Sequence, residues 1–178
     1  MLITNGLIAA LDQGEPSTDN GALVSDGALR IADGIITAIG TTTELRKAYP
    51  DDEVLDAVGQ LVMPAAICAH THFYGAFARG MALPGEPPAD FLSILQRLWW
   101  RLDRALEPED IHLSALVCLM DAIHNGTTTL IDHHASPSCI DGSLDIIADA
   151  VLEAGLRASL CYETSDRDGA TVAQRGRM

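Results

Sequence analysis

The sequence predicts an α/β fold in which a short all-β segment leads into parallel strands joined by helices. Three observations point there. Turn dipeptides crowd the first third of the chain. Apolar residues beyond Pro88 recur at three- and four-residue steps. Three short apolar strands each end in polar side chains.

Residues 1 to 63 read as all-β. Asn5-Gly6, Asn20-Gly21, Asp26-Gly27 and Asp33-Gly34 are turn dipeptides between short β-favouring stretches. The clearest hairpin runs from Ala28 to Ala32, turns at Asp33-Gly34 and returns from Ile35 to Ile39, because Asp-Gly supplies the two positive-φ positions of a type I′ turn. A short helix is expected from Thr42 to Ala48, closed by Pro50, and Val54 to Val62 adds two strands about Gly59.

Residues 64 to 178 follow a different grammar. Ala65 to Ala69 reads as a strand ending in His70-Thr71-His72. Past Pro84, Pro87 and Pro88, the residues Phe91, Ile94, Leu95, Leu98, Trp99, Leu102 and Leu106 make a helical stripe, with Arg97, Arg101 and Arg104 on the other side. Pro108 suits the first turn of the next helix, and Glu109 and Asp110 complement its positive end. That helix is apolar on most of its circumference (Ile111, Leu113, Leu116, Val117, Leu119, Met120, Ile123), which predicts burial on more than one side. Gly126 stops it, Thr127 to Asp132 is a strand, and His133-His134 follow. Leu144, Ile147, Ala148, Val151 and Leu152 then form a helix stripe opposite Asp145, Asp149 and Glu153. Gly155 ends that helix, and Arg157 to Tyr162 is the third strand. This alternation implies parallel strands joined by right-handed crossovers.

Composition narrows the function. The 178 residues are one domain's worth by length and carry a formal charge of −14, with 25 acids against 11 bases. No basic stripe is available for phosphates, so nucleic acid is excluded as a partner. Lys47 is the only lysine, so a polybasic membrane clamp is excluded too. The apolar run Gly6 to Leu11 is too short to span a bilayer and lacks a basic flank. Cysteines 68, 118, 139 and 161 show no CxxC spacing and read as reduced thiols, so the expected setting is a soluble protein of the cytoplasm.

In parallel α/β folds the chemistry gathers at the carboxyl ends of the strands. Here those ends carry His70-Thr71-His72, then Asp132-His133-His134, then Glu163. Histidines at i and i+2 on a strand share a face, roughly 7 Å apart at their Cα atoms, so His70 and His72 are candidate ligands of one divalent metal. His133 and His134 alternate sides. His133 is the one expected to face the site, as a substrate contact or a support for a ligand, and Asp132 is placed to accept a histidine N–H. His112 and His124 lie about 120° apart on one helix and cannot share a ligand. Trp99-Trp100 reads as packing, with a lid as the alternative. Gly75 to Gly85 lacks the strand-Gly-x-Gly-helix frame of a phosphate cradle.

These residues resemble a known family. Pro64-Ala65-Ala66-Ile67-Cys68-Ala69-His70-Thr71-His72-Phe73, after a small β segment, is similar to the opening of the amidohydrolase superfamily. Asn125-Gly126-Thr127-Thr128-Thr129 and Leu130-Ile131-Asp132-His133-His134 fit its aminohydrolase and chlorohydrolase branch. With Leu98-Trp99-Trp100-Arg101-Leu102 and the stretch Cys161 to Gly169, they look most like the group of aminohydrolases called SsnA. The resemblance implies a (β/α)₈ TIM-type barrel carrying a small β-sandwich. Residues 1–63 would then be the N-terminal β-sandwich segment, and 64–178 the first β/α units with three barrel strands.

The resemblance further implies that His70 and His72 are first-strand ligands of one divalent ion, zinc or iron. That ion lowers the pKa of a bound water and yields a hydroxide nucleophile. The implied activity is hydrolysis of C–N bonds other than peptide bonds in a small nitrogenous substrate, with halide as the leaving group in chlorohydrolase relatives. The family usually has glycine at the position of Ala65. It also uses histidines on the fifth and sixth strands, an aspartate on the eighth and a proton-shuttling glutamate, all of which would lie beyond Met178. The resemblance therefore implies the N-terminal portion of such a hydrolase, homo-oligomeric when full length. The isolated chain is expected to be inactive and aggregation-prone through its open sheet edge. The alternatives are a non-catalytic remnant and a partner-binding α/β module.

Overall fold

The computed structural model describes residues 1–9 and 23–177; the turn expected at Asn20-Gly21 lies outside the described residues. The chain divides into two compact units, Met1–Pro64 and Ala65–Met178.

The first unit is a five-stranded sheet built around β1 (Leu2–Ala9), whose residues alternate buried and half-buried along its length. β2 (Leu23–Ala32) and β3 (Ile35–Thr41) form the expected hairpin. Ala32 pairs with Ile35 across Asp33 and Gly34, both at positive φ (52° and 75°), as a type I′ turn requires. α1 (Thr42–Ala48) starts from a capping box in which the Thr41 hydroxyl accepts the Glu44 amide and the Glu44 carboxylate accepts the Thr41 amide. The two strands about Gly59 also form, as β4 (Val54–Asp56) and β5 (Leu61–Val62). They do not pair with each other: both run parallel to β1, at Leu2↔Val54 and Leu7↔Leu61.

The second unit is a three-stranded parallel sheet in the order β6 (Ala66–Thr71), β7 (Thr127–His134), β8 (Arg157–Tyr162). α4 (Pro108–His124) connects β6 to β7, and α5 (Ser143–Glu153) connects β7 to β8. Leu130 of β7, Ile111, Ala115 and Leu119 of α4, and Ile147, Ala150 and Val151 of α5 are buried in one core with Phe73 and Tyr74. The opposite face of the sheet is open and exposes Ile67, Ile131 and Cys161.

α4 departs from the expectation. Only one side of it is buried; Leu113, Val117, Met120 and Ile123 form an exposed apolar stripe. α5 likewise leaves Leu152 exposed beside its buried Val151. The helix expected across residues 91–106 is broken into α2 (Phe91–Ile94), a π-helical segment (Leu95–Trp99) and α3 (Trp100–Ala105). The wide π turn takes up an extra residue, so Leu102, Asp103 and Leu106 enter the core while Phe91, at the start of the predicted stripe, is exposed. Arg97 is half-buried; its guanidinium turns back to the carbonyls of Pro84 and Glu86 and ties down the proline-rich connection. After β8 a short helix, α6 (Ala170–Arg175), buries Ala173. Among the described residues no helix is long and apolar enough to cross a membrane.

Candidate metal centre

The site begins with an irregularity in β6. Cys68 pairs with Leu130 and Thr71 with Asp132, so three steps along β6 match two along β7. Such a bulge absorbs one residue and re-aims those that follow. Cys68 packs on the helix-side core, and Thr71 turns to the same side, its hydroxyl donating to the Ile131 carbonyl at 3.0 Å. His70 and His72 are thereby left together on the open face. Strict alternation from Cys68 would have sent both into the helix layer.

The two imidazoles converge, Nε2 to Nε2 at 3.2 Å. His72 Nδ1 lies 2.8 Å from the His133 carbonyl oxygen. A carbonyl only accepts, so Nδ1 carries the proton and Nε2 presents its lone pair. Two imidazole nitrogens on one tetrahedral zinc, each about 2.0–2.1 Å from it, stand about 3.3 Å apart. The His70–His72 pair fits that donor set in spacing and, for His72, in tautomer. Among the described residues no group of three or more His, Cys, Asp or Glu side chains is arranged to hold a metal, so the pair stands as two donors.

The second-strand residues divide by face. His133 lies on the open side with its ring 5.3 Å from that of His72 at 84°, and its buried Nδ1 has no partner. His134 does not reach the open side. It is buried between Tyr74 and Tyr162, with Nε2 3.0 Å from Ser136 Oγ. Because the Ser136 hydroxyl donates to the Cys139 carbonyl at 2.6 Å, it accepts from His134. Burial pushes the His134 imidazole down to about 4. It packs behind the sheet, which leaves His133 as the member of the pair on the open side.

Asp132, also fully buried, differs from expectation in its partners. Oδ1 accepts the Phe73 amide at 2.8 Å and, at 3.2 Å, shares the Thr71 hydroxyl hydrogen with the Ile131 carbonyl; it accepts no histidine N–H. Burial pushes its carboxyl up to about 6, against the pull of those two hydrogen bonds.

A further cluster at the same rim escaped the sequence reading. Arg167, past the end of β8, pairs with buried Asp103 of α3, with Glu163 at 3.1 Å and with Asp168 at 3.6 Å, and lies over the Trp100 ring. Glu163 is therefore engaged by Arg167. The available signal was Asp103 itself, a charged residue in phase with Trp99, Leu102 and Leu106 on the apolar stripe, which demands a buried partner. Trp99 stands edge-on to Tyr74 with centroids 6.0 Å apart, and it closes against Gly75, where a Cβ would lie 3.4 Å from the indole. Trp99 packs against the core, and half-buried Trp100 carries the Arg167 guanidinium over its ring.

Comparison with known proteins decides the family. The model of the amidohydrolase family matches residues 61–176, and that of the imidazolonepropionase-like composite domain of bacteria matches 27–51. The chain belongs to the amidohydrolase family. A 5-methylthioadenosine/S-adenosylhomocysteine deaminase of Moorella thermoacetica is 34% identical over 142 residues, 80% of this chain and 31% of that protein. A 5'-deoxyadenosine deaminase of Methanosarcina barkeri is 29% identical over 99% of this chain and 37% of that protein. Among solved structures, zinc-complexed atrazine chlorohydrolase TrzN of Arthrobacter aurescens superposes with a TM-score of 0.70 at 22% identity, covering 90% of this chain and 35% of that one. Guanine deaminase of E. coli gives 0.72 at 17%, covering 97% and 39%. The chain thus spans about a third of the length of the curated relatives it matches, and over that span it has the amidohydrolase fold.

Ala65 is exposed and is not among the residues with positive φ, so its Cβ is accommodated at the mouth of β6.

Proposed function

We propose that this chain supplies the first-strand ligands, His70 and His72, to the divalent metal centre of a hydrolase that removes an amino group from a small nitrogenous substrate. The observation that carries the reading is the 3.2 Å convergence of the two Nε2 atoms, with His72 held in the ligating tautomer by the His133 carbonyl. A divalent ion such as zinc or iron would supply Lewis acidity there, making hydroxide available near neutral pH. This chain's own residues hold and orient: His70 and His72 offer lone pairs, and His133 presents its ring beside them on the open face. The deaminases among its relatives support an amino leaving group on a nitrogen heterocycle. In the same reading, residues 1–63 contribute to a small β-sandwich and 64–178 form the first β/α units of the barrel. Four unpaired cysteines and the charge of −14 support a cytoplasmic setting and a small-molecule partner, not nucleic acid.

The test is metal analysis of the complete protein, alongside His70→Ala and His72→Ala, with ammonia release assayed on a panel of aminopurines. About one equivalent of metal per complete chain is expected, lost in each variant. Unchanged metal content in both variants overturns the reading.

A further inference from the structure

Each candidate ligand needs more than a strand to stand on, because β6 is irregular where the histidines emerge. The bulge between Cys68 and Thr71 lies directly before His70 and His72 emerge at the carboxyl end of β6. A bulge interrupts the ladder locally, so other contacts must fix the residues around it. Three donor groups do so, and two of them reach one atom. Asp132 Oδ1 takes the backbone amide of Phe73 and shares the Thr71 hydroxyl with the Ile131 carbonyl, Thr71 and Phe73 being the residues on either side of His72. The third contact, from His72 Nδ1 to the carbonyl of His133, comes from the residue that follows Asp132. Asp132 and Phe73 are both fully buried, so the clamp sits on rigid core. The carboxylate accepts no hydrogen bond from either imidazole.

We propose that Asp132 is a positioning residue for the metal pair: it grips both neighbours of His72 and so sets the angle at which the two Nε2 atoms converge. This rests on the metal reading of His70 and His72. It assigns to a buried aspartate on the second strand the geometry of ligands on the first. A carboxylate oxygen accepting two hydrogen bonds can be replaced by an amide oxygen but not by a methyl group, and the test uses that difference.

Cobalt(II) is the probe, with affinity read by chelator competition and geometry by the ligand-field absorption bands. Exchange of the Phe73 amide in metal-free protein is the readout independent of any metal. Asp132→Ala is expected to weaken cobalt binding by about 10–100-fold, to alter the bands and to free the Phe73 amide for exchange. Asp132→Asn is expected to stay within about threefold of the parent in affinity, with the parent spectrum. Wild-type affinity and spectrum in Asp132→Ala overturn the proposal. So does an Asp132→Asn variant as weak as Asp132→Ala, since hydrogen-bond acceptance would then not be what the site requires. Should Asp132→Ala fail to fold, Thr71→Val removes one arm of the clamp, and unchanged affinity and bands in it overturn the proposal. His70→Ala and His72→Ala separate the two levels. If they bind cobalt like the parent, the metal reading itself fails; if they lose it while the Asp132 variants do not, only the positioning role fails.

Discussion

Arg167 grips Asp103 from 64 residues further along the chain, Nη2 to Oδ2 at 2.7 Å and Nη1 to Oδ1 at 3.3 Å, with the carboxylate only 1% exposed. The fork joins α3, within the long connection after β6, to the loop after β8, and so ties the two ends of the sheet's functional rim together. Removing the arginine leaves a buried carboxylate without its counter-charge. Arg167→Ala is expected to cost about 3–5 kcal/mol of stability. Arg104→Ala, which breaks the more exposed pair with Asp168, is expected to cost about 1 kcal/mol or less. Urea denaturation of the two variants checks the ranking, and equal losses would contradict it.

His134 predicts a dependence on acidity. Its imidazole is held at about 4 in the fold, against an ordinary value of 6.5. The unfolded chain takes up a proton as pH falls through about 6.5, and the folded chain does so only near 4. Its contribution is thus whole above about pH 6.5 and is lost on acidification toward pH 4, by roughly 2–4 kcal/mol. His134→Gln keeps a donor for Ser136 and removes the titration. The gap in unfolding free energy between about pH 7.5 and about pH 5 should be smaller in the variant than in the parent.

Two glycines of the first unit separate steric from conformational demand. A Cβ at Gly27 would lie 2.5 Å from Ile8 Cγ1 and 2.7 Å from the Val24 carbonyl, where β1 and β2 pair irregularly. At Gly59, with φ of 77°, nothing lies within 4 Å. Gly27→Ala should cost about 3 kcal/mol or prevent folding, and Gly59→Ala about 1 kcal/mol. Thermal unfolding of both distinguishes the cases; similar melting points would show that the Gly27 contact relaxes freely.

Thiol chemistry should discriminate between cysteines. Burial pushes the Cys118 thiol up to about 11, and it lies against the Phe73 carbonyl, while Cys161 is exposed on the open sheet face. In iodoacetamide labelling of the native chain followed by peptide mapping, Cys161 should react well before Cys118. The reverse order would place Cys118 outside the core.

What was legible in the sequence was local. The Asp33-Gly34 turn, the start of α4 at Pro108, its stop at Gly126 and the strand from Arg157 to Tyr162 each depend on neighbours within a few residues, and each appears as read. The parallel β/α alternation followed from those pieces. The family resemblance was legible too, since it rests on contiguous motifs. Register and partners at long range were not. Nothing in Ala66 to Thr71 announces a bulge, because an extra residue is extra only relative to β7, about sixty residues away. The exposed Leu113, Val117, Met120 and Ile123 show the same limit: apolar spacing identifies faces that suit burial but does not say what covers them. The partners of Asp132 could not be read either, since Thr71 and Phe73 come from another strand and the turn beyond it.

The bulge in β6 makes the placement of the site a matter of parity. Whether His70 and His72 look outward or into the core depends on an odd or even count from Cys68, independently of what the residues are. Grafting Ile67 to His72 onto a straight strand, with Cys68 kept in the core, would preserve every letter of the motif and bury both imidazoles. The transplant would need the kink as well, or one residue fewer between Cys68 and His70. In this protein the motif and its arithmetic are inherited together.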